Sequence, residues 1–198
     1  MYRRSLSFAV AATVAATLVP AALAVRVHVR VEGKTQTIFG STAPLLNVRD
    51  NVIDALDAAS LAGEFYYHLA PAGYVDQIGR YPAGGSSGWV FKVNGVLPPV
   101  AANKIHLRRG DDVLWYWATF NGAAGPPTLE VEVARGRNTC FYAVGVNDAG
   151  HRARTRNVGY TLNGRRRASR SGVLCTGAKH YSVRITKRGA IRSKVYRG

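Results

Sequence analysis

The chain has 198 residues, with 27 lysines and arginines against 11 aspartates and glutamates and a net charge of +16. That length holds one or two small domains, and a positive excess of this size favours anionic partners. Five histidines without clustered spacing, no phosphate loop and no dinucleotide fingerprint argue against a zinc site or a nucleotide-dependent enzyme.

Arg3 and Arg4 precede an uncharged apolar run over residues 6–19. Pro20 breaks the run, and Ala22-Leu23-Ala24 has the small-x-small form of a cleavage site. The run is shorter than the ~20 residues of a membrane span, so residues 1–24 read as a secretory signal peptide. No second apolar stretch follows. The expected product is secreted or held at the cell envelope, with no transmembrane helix after cleavage.

Residues 25–31 alternate apolar and polar strictly, the pattern of a half-buried strand. Glu32-Gly33-Lys34 turns the chain, and residues 35–39 return as a second strand. Residues 47–50 offer helix caps, Val52, Ile53, Leu56 and Ala59 recur at helical spacing, and Gly63 ends the helix as a C′ glycine. Residues 65–69 and 74–78 are short extended pieces, and residues 82–88 form a Gly/Ser loop. Strands follow at 89–93, running into the Asn94-Gly95 hairpin signal, and at 113–120 after a Gly-Asp turn. All three tryptophans lie on these last two strands. One helix covering one face of a mixed sheet of four or five strands gives an α+β domain of the β-grasp kind over 25–120.

Residues 121–127 are a Gly/Pro linker by composition. The charge changes here: residues 25–120 carry nine Lys/Arg against eight Asp/Glu, a net +1, and residues 121–198 carry sixteen against three, a net +13. After the linker no segment has a helical period. Strand-like stretches at 128–133, 138–147, 155–162, 171–175, 181–186 and 191–196 alternate with turn signals. The expectation is a small all-β sandwich over 128–198.

Five motifs follow one another in order: Thr37-Ile38-Phe39-Gly40, Val52-Ile53-Asp54-Ala55-Leu56-Asp57-Ala58-Ala59, Tyr74-Val75-Asp76-Gln77-Ile78, Gly88-Trp89-Val90-Phe91-Lys92-Val93-Asn94-Gly95 and Gly110-Asp111-Asp112-Val113-Leu114-Trp115. In order and spacing this set resembles the transcobalamin-like C-terminal domain family, largely of unknown function, over about residues 25–120. The resemblance implies a β-grasp-like sheet. In animal cobalamin carriers the related domain closes over the corrinoid from one side, opposite a separate helical barrel. Cobalamin is therefore the one cofactor the resemblance brings into view, and a partner protein completing a ligand site is a second implication. The residues themselves ask for no cofactor. Residues 128–198 resemble immunoglobulin-like and carboxypeptidase-regulatory-like sandwiches only generically.

Two groups of side chains carry the functional expectations. Trp89, Phe91, Asn94, Trp115, Tyr116 and Trp117 either build the core or present an aromatic face to a flat ligand such as a corrinoid. Leu114, Tyr116, Ala118 and Phe120 share one face of their strand, and Val113, Trp115, Trp117 and Thr119 the other. The helix covers one face, so the second domain, a ligand or a partner must cover the opposite one. Arg152, Arg154, Arg156, Arg165, Arg166, Arg167 and Arg170 are the expected contacts for an acidic wall polymer or an anionic membrane surface. Export removes nucleic acid as a dedicated partner. Cys140 and Cys175, an even pair in an exported chain, are expected to form a disulfide.

No catalytic constellation is legible. Gly84-Gly85-Ser86-Ser87-Gly88 has the letters of a nucleophile elbow but not its strand-before, helix-after setting, and reads as a hairpin connection. Adjacent Asp111 and Asp112 point to opposite faces and read as turn formers. The sequence predicts a non-catalytic binding or envelope-associated protein, with a small-molecule carrier as the alternative.

Overall fold

Residues 24–71, 73–120 and 125–198 are described in the computed structural model of the chain. The expected signal peptide, up to residue 23, and residues 121–124 of the expected linker lie outside the described residues.

The alternating segment forms β1 (Val25–Glu32), with Val27, Val29 and Val31 buried on one face. Its other face does not stay in water: Arg30 and Glu32 are buried as well. β2 (Thr37–Phe39) returns beside β1, and so does β3 (Leu45–Val48), a strand the sequence reading had given partly to the helix cap. The cap itself is Asn51. Its side chain accepts from the backbone of Ile53 and Asp54, and Asp54 answers to the backbone of Asn51, closing a capping box.

From there α1 (Val52–Gly63) buries Val52, Ala55, Leu56 and Ala59 against the sheet. Gly63 is the last helical residue, and the left-handed position falls on Glu64 at φ 51°. Glycine is needed at 63 for space: a Cβ there would sit 2.6 Å from the Phe39 ring.

Next comes a small antiparallel sheet of β4 (Tyr67–Leu69), β5 (Val75–Ile78) and β6 (Tyr81–Pro82). β7 (Ser87–Val93) and β8 (Asp112–Thr119) are paired antiparallel along their whole length, and β8 pairs in parallel with β1. The main sheet of this upstream half has the order β2-β1-β8-β7, with β3 also paired to β1. Among the described residues α1 is the one α-helix.

The downstream half is all strand. β9 (Thr128–Arg135), β10 (Thr139–Val146), β11 (Arg152–Arg154), β12 (Val158–Leu162), β13 (Arg165–Ser169), β14 (Val173–Thr176), β15 (Ser182–Thr186) and β16 (Tyr196–Arg197) form two four-stranded sheets. One contains β9, β10, β11 and β14; the other has the order β13-β12-β15-β16. Leu129, Phe141 and Ala143 from the first meet Val158, Tyr160, Val183 and Ile185 from the second in a shared core. The two sheets thus face each other as in a sandwich.

Cys140 and Cys175 stand directly opposite on β10 and β14 and are joined by a disulfide. β11 and β13 are strands that the sequence reading passed over. The expected strand at 191–196 is reduced to Tyr196–Arg197. The segment before it leaves the sheet and lies between the halves, where the Ile191 N–H donates to Pro127 and the Val195 N–H to Ser41.

Candidate functional site

The two tryptophan strands are a packing device. Pairing sets Trp89 opposite Trp117 and Phe91 opposite Trp115. The indoles of Trp89 and Trp117 meet edge to face with centroids 5.6 Å apart, and Phe91 lies 5.2 Å from Trp115. Trp89, Phe91 and Trp115 are buried with the helix residues in one core, and Trp117 packs half-buried against it. Trp89 Nε1 donates to the Tyr81 carbonyl.

On the opposite face Leu114, Tyr116 and Ala118 are buried against Ile191 of the downstream half. Asn94 is exposed and ties its turn to the start of β8: its amide donates to Asp111, and its side-chain carbonyl accepts from the Asp112 N–H. Trp89, Phe91, Trp115 and Tyr116 are thus packed inside the protein, and Trp117 is half-buried. The helix and the small sheet take one face, and the downstream half takes the other.

That covered face contains polar groups the sequence reading missed. Glu32, 2% exposed, is met by three guanidinium groups and a hydroxyl. Arg184 Nη2 lies 2.6 Å from Oε1, Arg192 Nη2 2.8 Å from Oε2, and Arg30 Nη1 3.3 Å from Oε1. Two of these arginines belong to the downstream half, so one carboxylate of β1 ties the halves together. Burial pushes Arg184 below the usual guanidinium range, opposed by Glu32.

Lys92 is fully buried, with Nζ 3.0 Å from Asp148 and 3.2 Å from the Thr128 hydroxyl. Burial lowers its pKa, with Asp148 acting in the opposite sense. A lysine flanked by Phe91 and Val93 inside an apolar strand was the local signal for a buried partner. Nothing local marks Glu32.

The arginines separate into two sets. Arg152 and Arg154 lie on β11 and reach across β10 to the acids of β9. Arg152 pairs with Glu130 and Glu132, and Arg154 with Glu132 at 3.1 Å. The Arg154 guanidinium also covers the Tyr142 ring at 4.2 Å. Their charge is largely neutralised within the sheet.

Arg156, Arg165, Arg166, Arg167 and Arg170 are exposed, and no carboxylate pairs with them among the described residues. They lie on and beside the β12–β13 hairpin, turned by Asn163 and Gly164 at φ 48° and 78°. The Asn157 N–H donates to the Arg170 carbonyl, and Lys187 Nζ to the Arg156 carbonyl, which gathers a further cation at that end. Next to the hairpin a shallow depression of about 480 Å³ is floored by Gly159, Thr161, Ala168 and Thr186 and bordered by Arg166 and Arg167.

The remaining chemistry-bearing side chains serve local structure. Gly84 and Ser87 exchange backbone hydrogen bonds around a two-residue hairpin turn. Asp111 accepts from Asn94 and the Arg108 N–H, while Asp112 meets Lys194 of the downstream half at 3.2 Å. Among the described residues no three His, Cys, Asp or Glu side chains gather as a metal group. Nor is any helix of the described residues long and apolar enough to cross a membrane.

Residues 50–119, from the turn before α1 to the end of β8, match a family described as a domain of unknown function, DUF4430. No curated protein and no solved structure matches the chain. The similarity takes in the helix and both tryptophan strands; β1 to β3 and the whole downstream half lie outside it.

Proposed function

We propose that this is an exported, non-catalytic protein of the cell envelope that binds an acidic wall polymer through the β12–β13 hairpin. The observation that carries this reading is the contrast among the arginines. Two are neutralised by Glu130 and Glu132, while five on one hairpin remain exposed and unpaired among the described residues. Unpaired guanidinium groups close together create a local positive potential, and each can donate to phosphate or carboxylate through two N–H groups. The floor of small side chains beside Arg166 and Arg167 lets an extended chain approach the sheet closely. An edge strand such as β13 also gains protection against strand pairing from its charges, which explains arginines there but not a depression beside them.

The disulfide suits an oxidising compartment and supports export. The upstream half reads as β-grasp-like, supported by α1 across one face of the mixed sheet and by the match to DUF4430, a family associated with transcobalamin-like domains. Its role here is to carry and orient the downstream half. Burial of Trp89, Phe91 and Trp115 counts against a corrinoid stacked on those rings.

The test is co-sedimentation of the chain from residue 25 onward with purified cell wall. At low salt most of the protein is expected in the pellet, with release as salt is raised. The Arg165→Gln, Arg166→Gln, Arg167→Gln, Arg170→Gln variant is expected to stay in solution. Equal sedimentation of the two proteins would remove the hairpin from the account. Transfer of binding to anionic lipid vesicles, with none to wall, would replace the polymer by a membrane surface.

A further inference from the structure

β1 ends at Glu32, paired with Tyr116, and β8 runs on past it to Thr119. In the space this leaves, the two halves enclose a cleft of about 410 Å³. Glu32, Gly33, Lys34, Tyr116 and Trp117 line it from the upstream half, and Ile191 and Arg192 from the downstream half; among the described residues Glu32 is the one carboxylate in the wall and is already met by its arginines. The volume is in the range of small-molecule sites, which favour the boundary between packed units.

Two independent observations point to an occupant. The first is a pair of unused donors. Tyr116 Oη and Trp117 Nε1 are both buried, and neither has a hydrogen-bond partner among the described residues. An indole N–H can only donate, and burial raises the Tyr116 pKa so that its hydroxyl stays protonated. Buried donors of this kind are normally satisfied; the two point to opposite faces of β8, and it is the Tyr116 hydroxyl, on the face turned to the downstream half, that calls for an acceptor in the cleft.

The second observation is charge. The junction beside the cleft holds the guanidinium groups of Arg30, Arg184 and Arg192 and the exposed ammonium of Lys34, against the single carboxylate of Glu32. A partly dry site with more cations than anions favours a bound anion. Trp117, Ile191 and the Pro126-Pro127 pair make the rest of the wall apolar.

We propose that the cleft between the halves binds a small organic anion. Its carboxylate or phosphate is held by Lys34 and Arg192, its apolar body lies against Ile191 and the edge of Trp117, and Tyr116 supplies a donor. This site is separate from the arginine hairpin and does not depend on it.

The test uses the chain from residue 25 onward and phenyl phosphate as probe, with inorganic phosphate and phenol as comparators at fixed ionic strength. Phenyl phosphate is expected to raise the melting temperature and change tryptophan fluorescence saturably, and more strongly than either comparator. Tyr116→Phe removes only an unpartnered hydroxyl, and Lys34→Gln changes only an exposed side chain, so both variants keep the fold. Each is expected to weaken phenyl phosphate binding about tenfold, the effect of one hydrogen bond to a charged group. The Arg165→Gln, Arg166→Gln, Arg167→Gln, Arg170→Gln variant is expected to bind the probe as the parent does. Absence of a saturable response, or an affinity unchanged from the parent in Tyr116→Phe or Lys34→Gln, would overturn the site. So would loss of binding in the hairpin variant. Inorganic phosphate binding as well as phenyl phosphate would overturn the apolar part of the proposal.

Discussion

Tyr160 holds its ring in the core between the two downstream sheets, and its hydroxyl is shared between the carbonyls of Phe141 and Gly172, 3.0 and 2.8 Å away. Burial pushes its pKa up to about 12. A tyrosine raised in this way stabilises the fold fully below its unfolded value of about 10, and that contribution is lost as the pH climbs from there toward the folded value. Stability is therefore expected to fall by roughly 1 kcal/mol per pH unit over that window from this residue alone. Tyr160→Phe is expected to cost about 1–2 kcal/mol at neutral pH and to flatten the alkaline loss. Urea midpoints at neutral and alkaline pH would check this, and an equal alkaline loss in both proteins would contradict it.

At this scale the sequence was legible where a residue acts on its neighbours. Asn94 and Asp111 sit in the two turns where they were read and tie them together, and of Val52, Ile53, Leu56 and Ala59, whose spacing marks the helix, all but Ile53 are buried, with Ala55 completing the face. Glu32 was not legible. It was read as part of a turn, and its partners Arg184 and Arg192 are more than 150 residues away along the chain.

Among the elements, two Asn-Gly pairs behave alike. Asn94-Gly95 and Asn163-Gly164 both take positive φ at each residue, the geometry of a tight hairpin turn. β13 was missed nonetheless, because three consecutive arginines carry no alternation of polarity. Its strand character comes from pairing with β12. The 191–196 stretch erred in the other direction. Its residues look strand-forming, but Ile191 is drawn out of the sheet to cover Leu114, Tyr116 and Ala118. Both outcomes are decided by tertiary contact rather than by propensity.

The disulfide joins β10 to β14 across 35 positions of chain. Chain entropy assigns such a loop about 4 kcal/mol, and measured values for native bridges run from about 2 kcal/mol upward. Reduction is expected to lower the melting temperature clearly, and the Cys140→Ser, Cys175→Ser variant to match the reduced protein. Thermal unfolding with and without reductant would check this. An unchanged transition would mean that β-pairing alone holds these strands.

For the whole molecule, one distribution of charge organises the account. The upstream half is nearly neutral and the downstream half strongly basic. The basic half does not use all its cations on the surface. Arg184 and Arg192 turn inward to Glu32, and Lys194 meets Asp112, so part of the excess fixes the two halves together. Arg152 and Arg154 are taken up by the acids of β9. What remains outward and without a carboxylate partner among the described residues includes the five arginines on and beside the β12–β13 hairpin as well as Arg135, Arg137, Lys179, Lys187, Arg188 and Arg197, and the polymer-binding claim rests on the hairpin set.

The measurement that tests it most directly is the affinity of the chain from residue 25 onward for a soluble acidic wall polymer across a series of salt concentrations. Exposed charges are strongly screened once the Debye length falls to about 10 Å, near 0.1 M salt. The account predicts a steep loss of affinity with salt, and a weaker, shallower dependence in the Arg165→Gln, Arg166→Gln, Arg167→Gln, Arg170→Gln variant. An affinity that does not change with salt, or a variant that follows the parent along the whole series, would contradict it.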